Sequence, residues 1–180
     1  MEIYLVRHTE TICEKGICYG QSDVGLLENY TTQFESIKKQ IPVNATFYSS
    51  PLLRCTVLAD YLSGSNYKID SRLMEMHFGD WELKKWDAIS PEEINPWMND
   101  FVNVSVPNGE SFTVLFDRVI DFMKTELQAN STKPVVLVTH AGVIRSILCK
   151  ISNLPLIDAF TNKVDFGEVI KIKLQKTLTI

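Results

Sequence analysis

Two short stretches end strand-type residues in a histidine. In "EIYLVRH", Arg7 and His8 follow Ile3, Tyr4, Leu5 and Val6; in "KPVVLVTH", Thr139 and His140 follow an unbroken apolar run opened by Pro134. Adjacent cations with no acid between them call for an anion. A further cation, Arg54, falls in the first turn of a helix predicted over "SSPLLRCTVLADYLSG", with Ser50 as N-cap, Pro51 at the first helical position and Gly64 as the stop. Free N–H groups and the dipole draw anions to such a terminus. Guanidinium suits bidentate contact with phosphate oxygens better than ammonium does. The chain holds only five arginines and three histidines, so two of each at strand ends or helix starts mark a phosphate-binding cluster.

These residues need elements to hold them. Residues 2–6 read as a buried strand, and Leu27, Tyr30, Phe34, Ile37 and Ile41 recur at steps of three and four, which is helical spacing. "NATFYSS" offers a second strand after it, and "YKIDSRLMEM" a short strand running into a loop. From Trp81 to Gly109 the chain reads as irregular, with one short helix from about Pro91. Phe112, Leu115, Phe116, Val119, Ile120, Met123 and Leu127 form one apolar face of a helix predicted to end near Asn130. "AGVIRSILCKIS" reads as a helix starting where the strand before His140 stops, and "EVIKIKL" as a half-exposed last strand. Strands separated by helices predict one α/β domain over residues 1–180, a three-layer αβα sandwich around a mostly parallel sheet. Ligands of such sheets collect at the carboxyl ends of the strands, where Arg7, His8, Thr139 and His140 fall.

Composition narrows the partners. A net charge of −4 and a pI near 5.4 argue against a nucleic-acid backbone as the main ligand, so an anion must be met by a local cluster. No stretch reaches membrane-spanning length and the chain enters its first strand without a leader pattern; the expected location is cytoplasmic, as a monomer or homodimer. Cys13, Cys18, Cys55 and Cys149 show no Cys-x-x-Cys spacing, which predicts reduced thiols without a metal, Cys149 in the core.

Five segments in order carry a resemblance across nearly the whole chain. "LVRHTET" resembles the Arg-His-Gly motif of the histidine phosphatase superfamily, which contains phosphoglycerate mutases and acid phosphatases. "SSPLLRC" is similar to its second-arginine motif, "MEMHFGDWE" to its acid-bearing segment, "VPNGES" to its Gly-Glu-Ser turn and "VVLVTHAGVIR" to its second-histidine motif. The resemblance implies a phosphoglycerate mutase-like sandwich acting on a small-molecule phosphate monoester, with no metal or other cofactor. It makes His8 the nucleophile that becomes phosphorylated, Arg7, Arg54 and His140 the phosphoryl ligands, and Glu75 the proton donor. Thr9 stands where the motif usually has glycine, and offers a hydroxyl or N–H to the phosphate. The acidic-to-asparagine stretch that follows in many mutases is replaced by "ETICEKGICYGQSDVGL", which weakens a mutase reading.

Within the superfamily, "GICYGQSDVGL" and "MHFGDWE" resemble the alpha-ribazole phosphatases of cobalamin nucleotide-loop assembly, whose substrate carries a flat aromatic base. That resemblance singles out Tyr19 and Gly20. A stacking surface is available from Trp81, Trp86, Trp97, Met98 and Phe101 if the segment at about 81–110 forms a lid; otherwise these aromatics fasten a long loop to the domain. A broad-specificity phosphatase, a phosphoglycerate mutase and a silent phospho-ligand binder are the alternatives. His77 is expected to be structural or pocket-lining, and Arg72, Arg118 and Arg145 to form scaffold ion pairs.

Overall fold

The structure is a computed structural model that describes residues 1–127 and 133–174. Its five strands are β1 (Glu2–Arg7), β2 (Thr46–Ser49), β3 (Lys68–Ile69), β4 (Val135–Thr139) and β5 (Val169–Lys173), in the order β3-β2-β4-β1-β5. All neighbours are parallel except β5, which runs antiparallel to β1. Five α-helices connect them: α1 (Tyr30–Lys38), α2 (Leu53–Ser63), α3 (Pro91–Asn99), α4 (Phe112–Glu126) and α5 (Ala141–Ser152).

The period-two alternation of the central strands splits the core. Ile3, Leu5, Val135 and Leu137 face one side and pack with Leu115 and Val119 of α4 and Ile144 and Ile147 of α5. Tyr4, Val6, Val136 and Val138 face the other, against Phe34 and Ile37 of α1 and Leu58 and Leu62 of α2. Both faces of β1 and β4 are therefore covered, as an unbroken apolar strand requires, and the expected three-layer αβα sandwich is the observed fold. At about 1.5–3 kcal/mol for each fully buried aliphatic side chain, this central pair supplies a stiff platform for the polar residues at its end.

Several boundaries differ from the sequence expectation for tertiary reasons. The first helix begins at Tyr30, because Leu27 N–H donates to Glu10 O (3.2 Å) and Leu26 pairs with Thr11, so that Leu27 stands outside the helix. Helix α2 begins at Leu53 with the extended Leu52 as N-cap; Ser50 and Pro51 precede it, and the hydroxyl of Ser50 is engaged elsewhere. Gly64 does end α2, in the left-handed region at φ 64°. Ser111 caps α4, its Oγ accepting from Val114 N–H at 3.3 Å, and the expected end near Asn130 lies outside the described residues. The segment from Trp81 onward includes α3 and buries Trp81, Ile89, Trp97 and Val106 in the larger core. No helix among the described residues is long and apolar enough to cross a membrane.

Candidate active site

Parallel pairing of β1 with β4 sets Arg7 opposite Thr139, so the two strands stop side by side and present His8 and His140 together. Their ring centroids are 5.1 Å apart in an edge arrangement, and both side chains are almost fully buried. Nδ1 of His8 lies 2.8 Å from the carbonyl of Thr9. A carbonyl only accepts, so Nδ1 carries the proton and Nε2 keeps its lone pair for a substrate. Burial, then the charges of Arg54 and Arg7, hold His8 well below the usual histidine pKa. His140 is depressed likewise, by burial first and then by His8, Arg54, Arg118 and Arg7. Two neutral imidazoles among guanidinium groups result.

Ser50, expected as a helix cap, instead places its Oγ 2.8 Å from His140 Nε2 while accepting from Leu52 N–H. Cys55 lies against the same ring, its Sγ 3.5 Å from Nε2 and donating to Thr139 O at 3.6 Å. Burial pushes the Cys55 thiol far above the usual cysteine pKa, so it remains neutral beside His140.

The arginines are anchored by carbonyls and carry no carboxylate partner among the described residues. Arg7 Nη1 donates to Val164 O (2.7 Å), with its guanidinium 3.7 Å from the ring centre of Phe166. Arg54, fully buried, donates from Nη1 to Ser22 O (2.9 Å) and from Nη2 to Gly20 O. The Nε groups of both arginines and Oγ1 of Thr9 are buried without a hydrogen-bond partner. Unpaired buried polar groups are costly and rare in folded proteins. Here they belong to Arg7, Thr9 and Arg54 around His8, where a bound tetrahedral oxyanion would supply the acceptors they lack.

Glu75 stands across from these cations on the loop after β3. Its carboxylate accepts from Met76 N–H (2.9 Å) and from Gly142 N–H (3.1 Å) in the first turn of α5. A Cβ at position 142 would fall on Glu75 Oε1, so glycine is what lets this acid reach the helix terminus. Arg118, an expected scaffold residue, pairs with Glu110 at 2.9 Å and donates to the carbonyls of Arg72, Met74 and Glu75. Arg72 pairs with Asp70 and Asp121. His77 shares a backbone exchange with Glu110, donating its N–H to Oε2 and accepting from N–H of Glu110.

Arg145 departs from its expected role. It makes no ion pair among the described residues; Nε donates to Asn162 O at 3.1 Å and the guanidinium lies 4.8 Å from the ring centre of Phe160. It lines a cavity of about 90 Å³ together with Glu75, Gly142, Tyr19, Phe101 and Phe160. Trp97 and Phe101 continue from there into an open apolar groove of about 390 Å³ with Trp86, Met98 and Phe160. Of the aromatic candidates, Trp97 and Trp86 stack at 5.9 Å and reach the groove. Trp81 is fully buried, donating from Nε1 to Glu93 (2.9 Å). Tyr19 sits at the mouth, its ring centre 5.4 Å from the Arg54 guanidinium and its hydroxyl accepting from Thr11.

The structure thus brings Arg7, His8, Thr9, Arg54, Glu75 and His140 to one end of the sheet. Sequence reading missed Ser50 as the partner of His140, Phe166 under Arg7, and Arg145. A usable signal existed for Arg145, which lies one helical turn beyond Gly142 on the same face of α5. None existed for Phe166, which reaches the site from the far end of the chain.

Known proteins resemble this chain along most of its length. A protein named "Putative phosphoserine phosphatase 2" from Hydrogenobacter thermophilus is 27% identical over 96% of this chain and 89% of its own length. "Probable phosphoglycerate mutase GpmB" from Escherichia coli O1:K1 is 31% identical over 86% of this chain and 76% of its own. The crystal structure of the alpha-ribazole phosphatase from Shigella flexneri matches with a TM-score of 0.87, covering 98% of this chain and 92% of that one at 24% identity, a likeness of fold. The family described as "Histidine phosphatase superfamily (branch 1)" matches residues 3–178. That span takes in every residue gathered around His8, and the chain belongs to the histidine phosphatase superfamily, in its branch 1.

Proposed function

We propose that the protein is a metal-independent phosphomonoesterase working through a phosphohistidine. The observation that carries this reading is the His8 ring, tautomerically fixed by Thr9 O and surrounded by buried donors without partners. Nε2 of His8 attacks phosphorus, forming the P–N bond as the P–O bond to the leaving group breaks, and Glu75 gives that oxygen a proton. Water then attacks phosphorus, giving a proton to Glu75 as the P–N bond breaks and inorganic phosphate departs. Arg7, Arg54, Thr9 and His140 hold the phosphoryl oxygens throughout, so their contribution is positioning and charge stabilisation.

For the leaving group, we propose alpha-ribazole 5′-phosphate as the substrate, a role in cobalamin nucleotide-loop assembly, and a cytoplasmic site of action. The aromatic groove beyond Glu75 supports this, since Trp86, Trp97, Phe101 and Phe160 offer faces for a flat base. A second reading is favoured by Arg145: a guanidinium without a carboxylate partner among the described residues, in the cavity beside Glu75, suits a carboxylate near the reacting oxygen, as in phosphoserine or a phosphoglycerate. The test is phosphate release, in the presence of a chelator, from alpha-ribazole 5′-phosphate, phosphoserine, 3-phosphoglycerate and p-nitrophenyl phosphate, with acid-labile label on the protein measured after rapid quenching. Label lost in His8→Ala, with strong preference for the first substrate, supports the full reading. Preference for the two acids, abolished by Arg145→Met, supports the second. Release without any label on the wild-type protein refutes the phosphohistidine route.

A further inference from the structure

The carboxylate of Glu82 does not face the cavity, yet all four of its acceptor positions are filled by backbone N–H groups. Oε2 accepts from Gly20 (2.9 Å) and Ser22 (3.1 Å), and Oε1 from Gln21 (2.8 Å) and Phe78 (3.0 Å). Three consecutive amides of one loop are thereby turned inward onto a single side chain. Gly20 O, which shares a peptide plane with the Gln21 N–H and so points away from Glu82, and Ser22 O, on the residue whose N–H ends the cradle, accept from the two terminal nitrogens of Arg54. The same loop touches the site twice more. Gln21 Nε2 donates to the carbonyl of Glu75 at 3.1 Å, and Asp23 Oδ1 accepts from Leu53 N–H at 2.7 Å, at the start of the helix that carries Arg54.

We propose that Glu82 is a positioning residue for phosphate binding, orienting Arg54 through the loop at residues 20–23 and holding that guanidinium in register with Glu75. This rests on Arg54 being a phosphate ligand, as proposed above. The physical reason is donor geometry. A guanidinium has five N–H groups in a rigid plane, and its two bonds to Gly20 O and Ser22 O fix the direction of the rest, including the unpartnered Nε. Rotating the loop amides would swing those carbonyls, and with them the face that Arg54 turns to His8.

The cradle is also stiff. Backbone bonds tie residues 16–18 to residues 83–86, with Cys18 N–H donating to Lys84 O (2.8 Å), Leu83 N–H to Cys18 O (2.7 Å) and Trp86 N–H to Gly16 O (2.9 Å). Trp81, next to Glu82, is fully buried. Position 20 admits only glycine, since a Cβ there would meet Met76 O and stand 2.7 Å from Phe78 Cδ2 and 2.9 Å from Glu82 Oε1. Burial acts to raise the Glu82 pKa, but the N–H bonds from Gly20, Gln21 and Phe78 and the contact with Ser22 outweigh it and the net shift is downward, consistent with a fixed anion. The segment from Trp81 to Trp86 is accordingly a buttress for the Arg54 loop.

The experiment is equilibrium binding of inorganic phosphate, by titration calorimetry, to the wild-type protein, Glu82→Gln, Arg54→Lys and the double variant, with thermal midpoints recorded for each. In Glu82→Gln an amide NH₂ faces N–H donors, so the cradle loses about half its bonds. Phosphate affinity is expected to fall at least about tenfold, with the double variant no weaker than Arg54→Lys alone, because the two changes disable one device. Ile89→Ala, at a buried residue just beyond that segment whose N–H donates to Trp86 O, should lower the midpoint and leave phosphate affinity alone. Unchanged phosphate affinity in Glu82→Gln, or losses that multiply in the double variant, overturns the proposal. Should Glu82→Gln fail to fold, Glu82→Asp decides in its place, since it keeps the charge but is too short to close the cradle. A folded wild-type protein that binds no phosphate would instead refute the reading of Arg54 itself.

Discussion

Gly142→Ala separates the proton-donor role of Glu75 from general damage to the fold. Position 142 lies in the first turn of α5, where alanine is preferred over glycine by about 1 kcal/mol. The new methyl group would land on Glu75 Oε1, 3.2 Å from Glu75 Cδ and 2.9 Å from Leu115 Cδ2. Overpacking of this kind costs about 1–3 kcal/mol, so the net stability loss should be about 0–2 kcal/mol, a fall of at most about 8 °C in the thermal midpoint. Relief comes by displacing the carboxyl by on the order of 1 Å, which can cost about 10²-fold in rate when the displaced group acts in the transition state. The assay compares kcat/KM on an alkyl phosphate with kcat/KM on p-nitrophenyl phosphate, a quantity that ends with departure of the leaving group and leaves out the water step that Glu75 serves for both esters. An alkoxide needs the proton from Glu75, whereas p-nitrophenolate departs readily without one. The expected loss is therefore about 10²-fold for the alkyl ester and much smaller for the aryl ester. Equal losses on both, or none on either, would refute the assignment of Glu75 as proton donor.

Other consequences are open to direct measurement. Arg7→Lys should weaken inhibition by inorganic phosphate by about 1.5–3 kcal/mol, roughly 10–150-fold, because the planar, bidentate set of bonds and the stack on Phe166 are lost together; inhibition constants on p-nitrophenyl phosphate check it. His8 and His140 have folded pKa values below the unfolded value of 6.5, so the unfolded state binds more protons as pH falls. Their contribution to stability is complete above pH 6.5 and shrinks below it by up to about 1.4 kcal/mol per histidine per pH unit until the folded pKa is reached. Urea midpoints between pH 7.5 and 5 should fall, and fall less steeply in His140→Asn. Trp81→Ala removes a fully buried indole and its bond to Glu93, and should cost about 3–5 kcal/mol by urea unfolding.

Much of this architecture is legible without coordinates because its information is local. The buried strand "VVLVT" and the helix of Phe112, Leu115, Val119 and Met123 declare themselves by period, and Gly64 by its left-handed stop. The strand ends could be located the same way, and with them Arg7, His8 and His140. Where sequence reading failed, a partner far along the chain had taken over a local preference. Ser50 looked like a helix cap because serine usually serves that way, but its hydroxyl faces a histidine 90 residues later. Arg145 looked like half of an ion pair, and no acid in the described residues pairs with it.

By itself, then, the sequence determined the alternation of strands and helices, the positions where polar residues end apolar runs, and the charge that must be met locally. Only the tertiary structure decided which of those polar residues face one another, which donors are left without partners, and that Glu82, in a segment read as a lid, gathers the amides that aim Arg54. The physical reason is range: hydrophobic period and turn chemistry act over a few residues, whereas hydrogen-bond partners are assigned by packing, across any separation along the chain.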